Sequence, residues 1–470
     1  MESILTENTF KDKLISLFDD NFRANFKHDT PHIHQLRRQA IEAFAKTGFP
    51  HTRLEEWRST NLAKPLALEY VQHFQPLDEK IDIEKVFQCE VYDLDTYVFS
   101  QLNGWYIYKT SPLTTLPNGT IVGSLDKAME TYPEIFEKHY AKYADFRNNG
   151  LNALNTAFAQ DGMFIYVPDG VEVPKPIQII NIINLKENIF IQPRNLIILG
   201  KNSKLQLVNC DHSLLHKASL INSVSEVVIG ENAELDYYKM QNKDNESTMV
   251  ASLYFHQEAN SRLTSNTITL NGGIVRNNTS VKLNGQGCET NLYGLYLVDK
   301  EQHIDNHLMV EHASPNCMSN QLFKGILDDQ AQSVFHGHVL VQRDAQKTNA
   351  YQNNKNILLT DKANAQSEPH LEIYADDVKC SHGATVGQLD PEAMFYLQQR
   401  GISQDSARML LMNAFAEEVI NKISILPLRE RIDELVSKRL KGELTICDQC
   451  ILDCSGRKPV KFDIDLTKLS

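Results

Sequence analysis

Lys379-Cys380-Ser381-His382 places a thiol and an imidazole two residues apart. If this run is extended, both project from one face, because side chains alternate with period two along a strand. A thiolate and an imidazole so placed suit one soft or borderline ion such as iron or zinc, and Lys379 beside them would favour the thiolate. Two donors do not complete a tetrahedral site, so His370, Glu372, water or a second chain must supply the rest. The alternative is a pair of unrelated buried side chains. Histidines also gather at His303, His307 and His312 and at His336 and His338, the last two again on one face if extended; they line a polar groove or cap turns. Near the C-terminus, Cys447-Asp-Gln-Cys450-Ile-Leu-Asp-Cys454 is compact enough for Cys447, Cys450 and Cys454 to reach one zinc or iron ion. A fourth ligand is lacking there and would come from Asp448, Asp453 or another chain. The alternative is three reduced thiols that hold nothing.

The chemistry the chain does not encode narrows the field. It has no G-x-x-x-x-G-K-[ST] phosphate loop, no G-x-S-x-G elbow and no H-E-x-x-H helix, so nucleotide hydrolysis, serine-esterase and zincin chemistry are not expected of it. Gly272-Gly273 has no helix after it and reads as a turn. Of the eight cysteines, Cys89, Cys210, Cys288 and Cys317 are scattered, and such residues in a reducing compartment are expected to be small buried hydrophobes. With 47 Lys and Arg against 60 Asp and Glu, the net charge is −13. That balance argues against nucleic acid and against an anionic membrane surface as partners. No run approaches the roughly 20 apolar residues that span a bilayer, and the acidic start, with Glu2 and Glu7, lacks the pattern of a signal or transit peptide. The expected compartment is the cytoplasm.

The elements that must position these residues fall into blocks. Residues 1–85 read as an N-terminal helical domain, with Phe10, Leu14, Leu17 and Phe18 at helical spacing. Residues 86–160 form a mixed connecting region. Over 161–388 short β-rich runs alternate with polar turns and no helical stripe is found. A loose repeat is visible in Leu199-Gly-Lys-Asn-Ser-Lys-Leu205 and Ile229-Gly-Glu-Asn-Ala-Glu-Leu235, with small residues at Ser203, Ala233 and Ala259 and again at Ala331 and Ala363. Repeats of roughly 20–50 residues in an all-β chain point to a stacked solenoid, with the helical ends as caps; a double sandwich is the alternative. Residues 389–440 return to helix. Asp390-Pro391 is a helix start, Gly401 a stop, and Ser403 a second N-cap. The second helix carries apolar residues all round, among them Leu410, Leu411 and Phe415. That excess serves either a docked partner or the chain's own packing. Residues 441–470 are the cysteine-containing tail.

Leu371-Glu-Ile-Tyr-Ala-Asp-Asp-Val-Lys-Cys-Ser-His-Gly-Ala-Thr-Val-Gly387, continuing through Phe395-Tyr-Leu-Gln-Gln-Arg-Gly-Ile402, resembles the SufB/SufD family of iron–sulfur cluster assembly proteins, and its SufD side in particular. Glu55-Glu-Trp-Arg58, Ala345-Gln-Lys-Thr348 and Asn353-Asn-Lys-Asn-Ile-Leu-Leu359 fit the same pattern. The resemblance implies a right-handed parallel β-helix core with N-terminal and C-terminal helical domains. It implies a non-catalytic scaffold subunit that pairs with SufB through the β-helices and docks a SufC ATPase through C-terminal helices; Phe395, Tyr396, Arg400, Leu410, Leu411 and Phe415 are the docking candidates. Cys380 and His382 would then meet a transient iron ion or iron–sulfur cluster at the subunit interface, supporting iron entry and assembly. Reduced flavin in the complex and a homodimer of the isolated chain are left open. The Cys447, Cys450 and Cys454 tail departs from the pattern. Two other classes compete: a polysaccharide-acting β-helix enzyme, which would need a groove of carboxylates with Arg or Lys and usually a secretion signal, and a stand-alone metal store or sensor built on Cys447, Cys450 and Cys454; within the family, a SufB-like scaffold is the alternative.

Overall fold

The computed structural model describes residues 2–26, 29–76, 94–107, 111–214 and 217–442. The boundary expected near residue 85, Cys89, and Cys447, Cys450 and Cys454 lie outside the described residues.

The β-rich runs wind into a parallel solenoid of about eight turns. Each coil gives one strand to each of two sheets. The first sheet steps from Ile177–Ile183 to Val378–Gly387, the second from Met163–Val167 to Asn364–Ile373. Ladder partners lie between 26 residues (Thr248 opposite Ile274) and 32 residues (Gln332 opposite Asn364) apart, which is why the repeat is blurred in the sequence. Alternation sends Leu205, Leu207, Leu235, Leu263, Val281 and Phe335 inward to a common core.

One corner of the coil is written in residue types. Asn202, Asn232, Asn260, Gly287, Asn316 and Lys347 all have φ between 54° and 70°, a region asparagine and glycine enter at low cost. The residue after each is small and buried: Ser203, Ala233, Ser261, Cys288, Cys317 and Thr348. The repeat position expected at Ala259 is therefore Ser261, two residues on. Cys288 and Cys317 occupy this column as small corner residues, and Cys210 is buried as well, so three of the scattered cysteines are packing residues.

The helical ends, expected as caps, flank the rod instead. N-terminal helices Pro31–Thr47 and Gly150–Phe158 pack over Phe190, Leu220 and Val250, and Leu125–Thr131 and Pro133–His139 cover Leu196, Ile198 and Val228 of the second sheet. Buried ion pairs pin this side. Arg194 donates to Glu226 at 2.7 Å while stacking on Tyr140 at 4.6 Å, and Glu226 also accepts from the amides of Ala141, Tyr143 and Ala144. Arg276 donates to Asp305 at 2.7 Å beneath the ring of Trp57.

The C-terminal helices lie on the first sheet's outer face. Gln404–Ile420 buries Met409, Met412, Ala416, Val419 and Ile420 against Val208, Tyr238, Ile268, Leu295 and Ile326 and against Leu428, Ile432 and Val436 of Leu426–Leu440. The apolar excess of the second helix is thus largely used by the chain itself. Among the described residues no helix is long and apolar enough to cross a membrane.

Candidate functional site

With the helices on its flanks, the solenoid's last coil is left open. Val378–Gly387 is the edge of the first sheet; it pairs with Thr348–Leu358 on one side and with nothing described on the other. Register sets Cys380 opposite Ala350 and His382 opposite Gln352. Ala350 and Gln352 are buried, so Cys380 and His382 share the row that faces the rod's interior. Their common face, expected from the spacing, follows from this register.

The two side chains differ in environment. Cys380 is half-buried and packs with Val339, Val341, Ala345, Ala350 and Ala375. His382 and every residue from it to Gly387 is exposed, because no further coil covers them. Burial pushes the Cys380 thiol up, so the protonated form rests at neutral pH. Lys379 sits on the alternate row and does not offset that burial. A metal binding here must displace the thiol proton, and with two donors it must find others beyond this strand.

His370 and Glu372 do not supply them. Leu371 lies with Cys380 in the interior cluster, so alternation turns His370 and Glu372 to the outer face of the second sheet. There they meet His338: His338 Nε2 is 3.1 Å from Glu372 Oε2, and the His338 and His370 rings are 4.9 Å apart. The remaining histidines are used in place. His303 Nε2 bonds the Thr60 hydroxyl at 2.8 Å. His307 bonds Asp305 at 3.1 Å and stacks on His336 at 4.8 Å. Burial would raise the Asp305 carboxyl, but the hydrogen bond from His307 and the Arg276 guanidinium outweigh it and hold the group at about 2. His312 is interior, bonded to the Ser319 hydroxyl at 2.8 Å. Arg58 forms an ion pair with Glu368, and Ser59 donates to Gln366 at 2.7 Å, so the Glu55–Trp57 turn and the residues after it anchor on the last strands.

Among the docking candidates, Phe395 and Tyr396 on Pro391–Gln399 are 62 % and 56 % exposed, and that helix buries no residue. Arg400 lies 4.6 Å from the Tyr396 ring. Leu410 and Leu411 are half-buried. Phe415 packs against the rod with the Lys324 ammonium 4.3 Å from its ring. Sequence reasoning missed the His338–His370–Glu372 grouping and the Trp57–Arg276–Asp305 lock. The His370-Leu371-Glu372 alternation was a signal for the first, but its partner strand depends on an irregular coil length.

Comparison with known proteins agrees with this architecture. Residues 181–415 match the SUF system FeS cluster assembly SufBD core domain, and residues 8–179 match the SufBD protein N-terminal region. An iron–sulfur cluster assembly SufBD family protein of Synechocystis is 30 % identical over 86 % of this chain and 90 % of its own length. The iron–sulfur cluster assembly protein SufD of Escherichia coli is 39 % identical over 38 % of this chain and 42 % of its own. The protein of the same name from Bacillus subtilis is 25 % identical over 88 % and 96 %. A solenoid flanked by helices, a thiol and imidazole on its open coil, and matches that run through both regions place this chain in the SufB/SufD family of iron–sulfur cluster assembly proteins.

Proposed function

We propose that the chain is a SufD-type, non-catalytic subunit of a SUF assembly complex, working in the cytoplasm. Its open last coil pairs with the corresponding coil of a SufB subunit. The observation that carries this reading is the edge strand Val378–Gly387, almost wholly exposed, with Cys380 and His382 on its inward row. An unpaired strand of this length is a template for another chain. A second coil laid on it would cover His382 and bring further donors to the thiol and imidazole. Iron or a nascent cluster is the cargo of that shared pocket, and reduced flavin in the complex would be bound with the partner. In isolation the same edge would serve a homodimer.

A SufC ATPase would dock on Pro391–Gln399, where Phe395 and Tyr396 stand free of the chain's own core. Nucleotide-driven dimerisation of that ATPase would pull on the docked helix and shift the coil pair between closed and open populations. Leu410, Leu411 and Phe415 lie on the helix that carries this pull to the first sheet. The test is His382→Ala in the complex reconstituted with SufB and SufC subunits. Cluster formation is expected to fall at least ~10-fold, the least that loss of even a group supporting a metal ligand costs, with the complex still assembled; unchanged formation removes His382 from the pocket.

A further inference from the structure

The outer face of the second sheet carries a separate group of donors. His338 and His370 are ladder partners on Gln332–Val341 and Asn364–Ile373, and Glu372 follows two residues along the same strand. Three side chains that share one face are therefore held on two hydrogen-bonded strands, a more rigid mount than a loop. One ligand atom from each of the three lies within 4.8 Å of the others. We propose that His338, His370 and Glu372 form an open site for one borderline divalent transition-metal ion, of the ferrous or zinc class.

The donor set selects that class. Two imidazoles and one carboxylate suit Fe(II), Zn(II), Co(II) or Ni(II), whereas calcium and magnesium prefer oxygen. Ligand atoms roughly 2.0–2.2 Å from such an ion lie about 3.0–3.6 Å from each other. His338 Nε2 and Glu372 Oε2 already stand 3.1 Å apart, so an ion displaces their shared proton and only His370 must swing inward. The Tyr374 hydroxyl donates to Glu372 Oε1, which orients the carboxyl and leaves Oε2 facing His338. His370 is exposed, which gives an ion a path from solvent and leaves the remaining coordination positions to water or to a ligand exchanged with another site. The neighbouring donors are engaged elsewhere: Glu368 with Arg58, and His336 stacked on His307.

This site is independent of the interface reading, because Cys380 and His382 belong to the inward row of the other sheet. It is tested on the full chain, without oxygen, by titration with Co(II). Nitrogen and oxygen ligation gives visible d–d bands without the near-ultraviolet charge transfer that a thiolate adds, so this site is separable from any built on cysteine. The unaltered chain is expected to take up one equivalent of cobalt with nitrogen and oxygen d–d bands, counted apart from any uptake that brings the thiolate charge-transfer band. His338→Ala with His370→Ala should lose that equivalent, Glu372→Gln should weaken it ~10-fold or more, and Cys380→Ser with His382→Ala should keep it. Melting temperatures of the variants check that they fold. Thiolate-type spectra only, or uptake unchanged in the double histidine variant, would mean that the three side chains merely hydrogen-bond one another, and would overturn the proposal.

Discussion

At the scale of single residues, the interior of the rod makes chemical demands that its surface does not. His312 sits inside, with Nε2 on Ser319 and Nδ1 without a partner. Burial lowers its imidazole to about 4, against ~6.5 in an unfolded chain. His139, also half-desolvated, is lowered to about 4. Between those values the unfolded chain binds protons that the native imidazoles refuse, so these two groups lower stability as the pH falls from ~6.5 to ~4, partly offset by Asp161, whose carboxyl is raised by burial to about 6. Urea unfolding across that window should show the slope, and His312→Gln should reduce it; an unchanged slope would mean that His312 is not buried neutral. The common face of Cys380 and His382 was legible because it needs only the period of a strand. The meeting of His338 with His370 and Glu372 was not, because it depends on which residues stack between coils whose length varies. The same irregularity pointed to Ala259, where the corner column uses Ser261.

At the scale of elements, the helices are attached by two different devices. The C-terminal pair is held by apolar area: Met409, Met412, Val419 and Ile420 fill the first sheet's outer face. This is why a hydrophobic excess that pointed equally to a partner is mostly consumed within the chain, while the short helix bearing Phe395 and Tyr396 is not. Helix starts were legible locally, since Asp390 and Ser403 accept amide hydrogen bonds as N-caps. Where the helices lie was not, since a periodic stripe does not name the surface that covers it. The N-terminal side is held partly by buried charge. Glu226→Ala would strand Arg194 in a fully buried position and remove acceptors from three backbone amides. The expected loss is about 3–5 kcal/mol, read as a lowered urea midpoint. A change below ~1 kcal/mol would show that the pair does not secure the N-terminal helices.

At the scale of the whole molecule, the arrangement is asymmetric. A solenoid coil is stable only when its ladder edges are covered. Here the first coils are covered by Tyr97–Leu102 and by the hairpin Leu113–Thr115 and Ile121–Ser124, and both flanks by helices. At the far end Pro369, which has no amide hydrogen to donate, marks the second sheet's edge strand, and the first sheet ends in Val378–Gly387. One end is thus covered, and the other ends in a strand with no described neighbour on its outer side. The most direct measurement of the proposed pairing is hydrogen exchange of the outward-facing amides of Val378–Gly387 in the chain mixed with a SufB subunit. The account predicts that these amides, open in the monomer, become protected in the complex together with those flanking Cys380 and His382. Exchange at the unprotected rate in the assembled complex would contradict it.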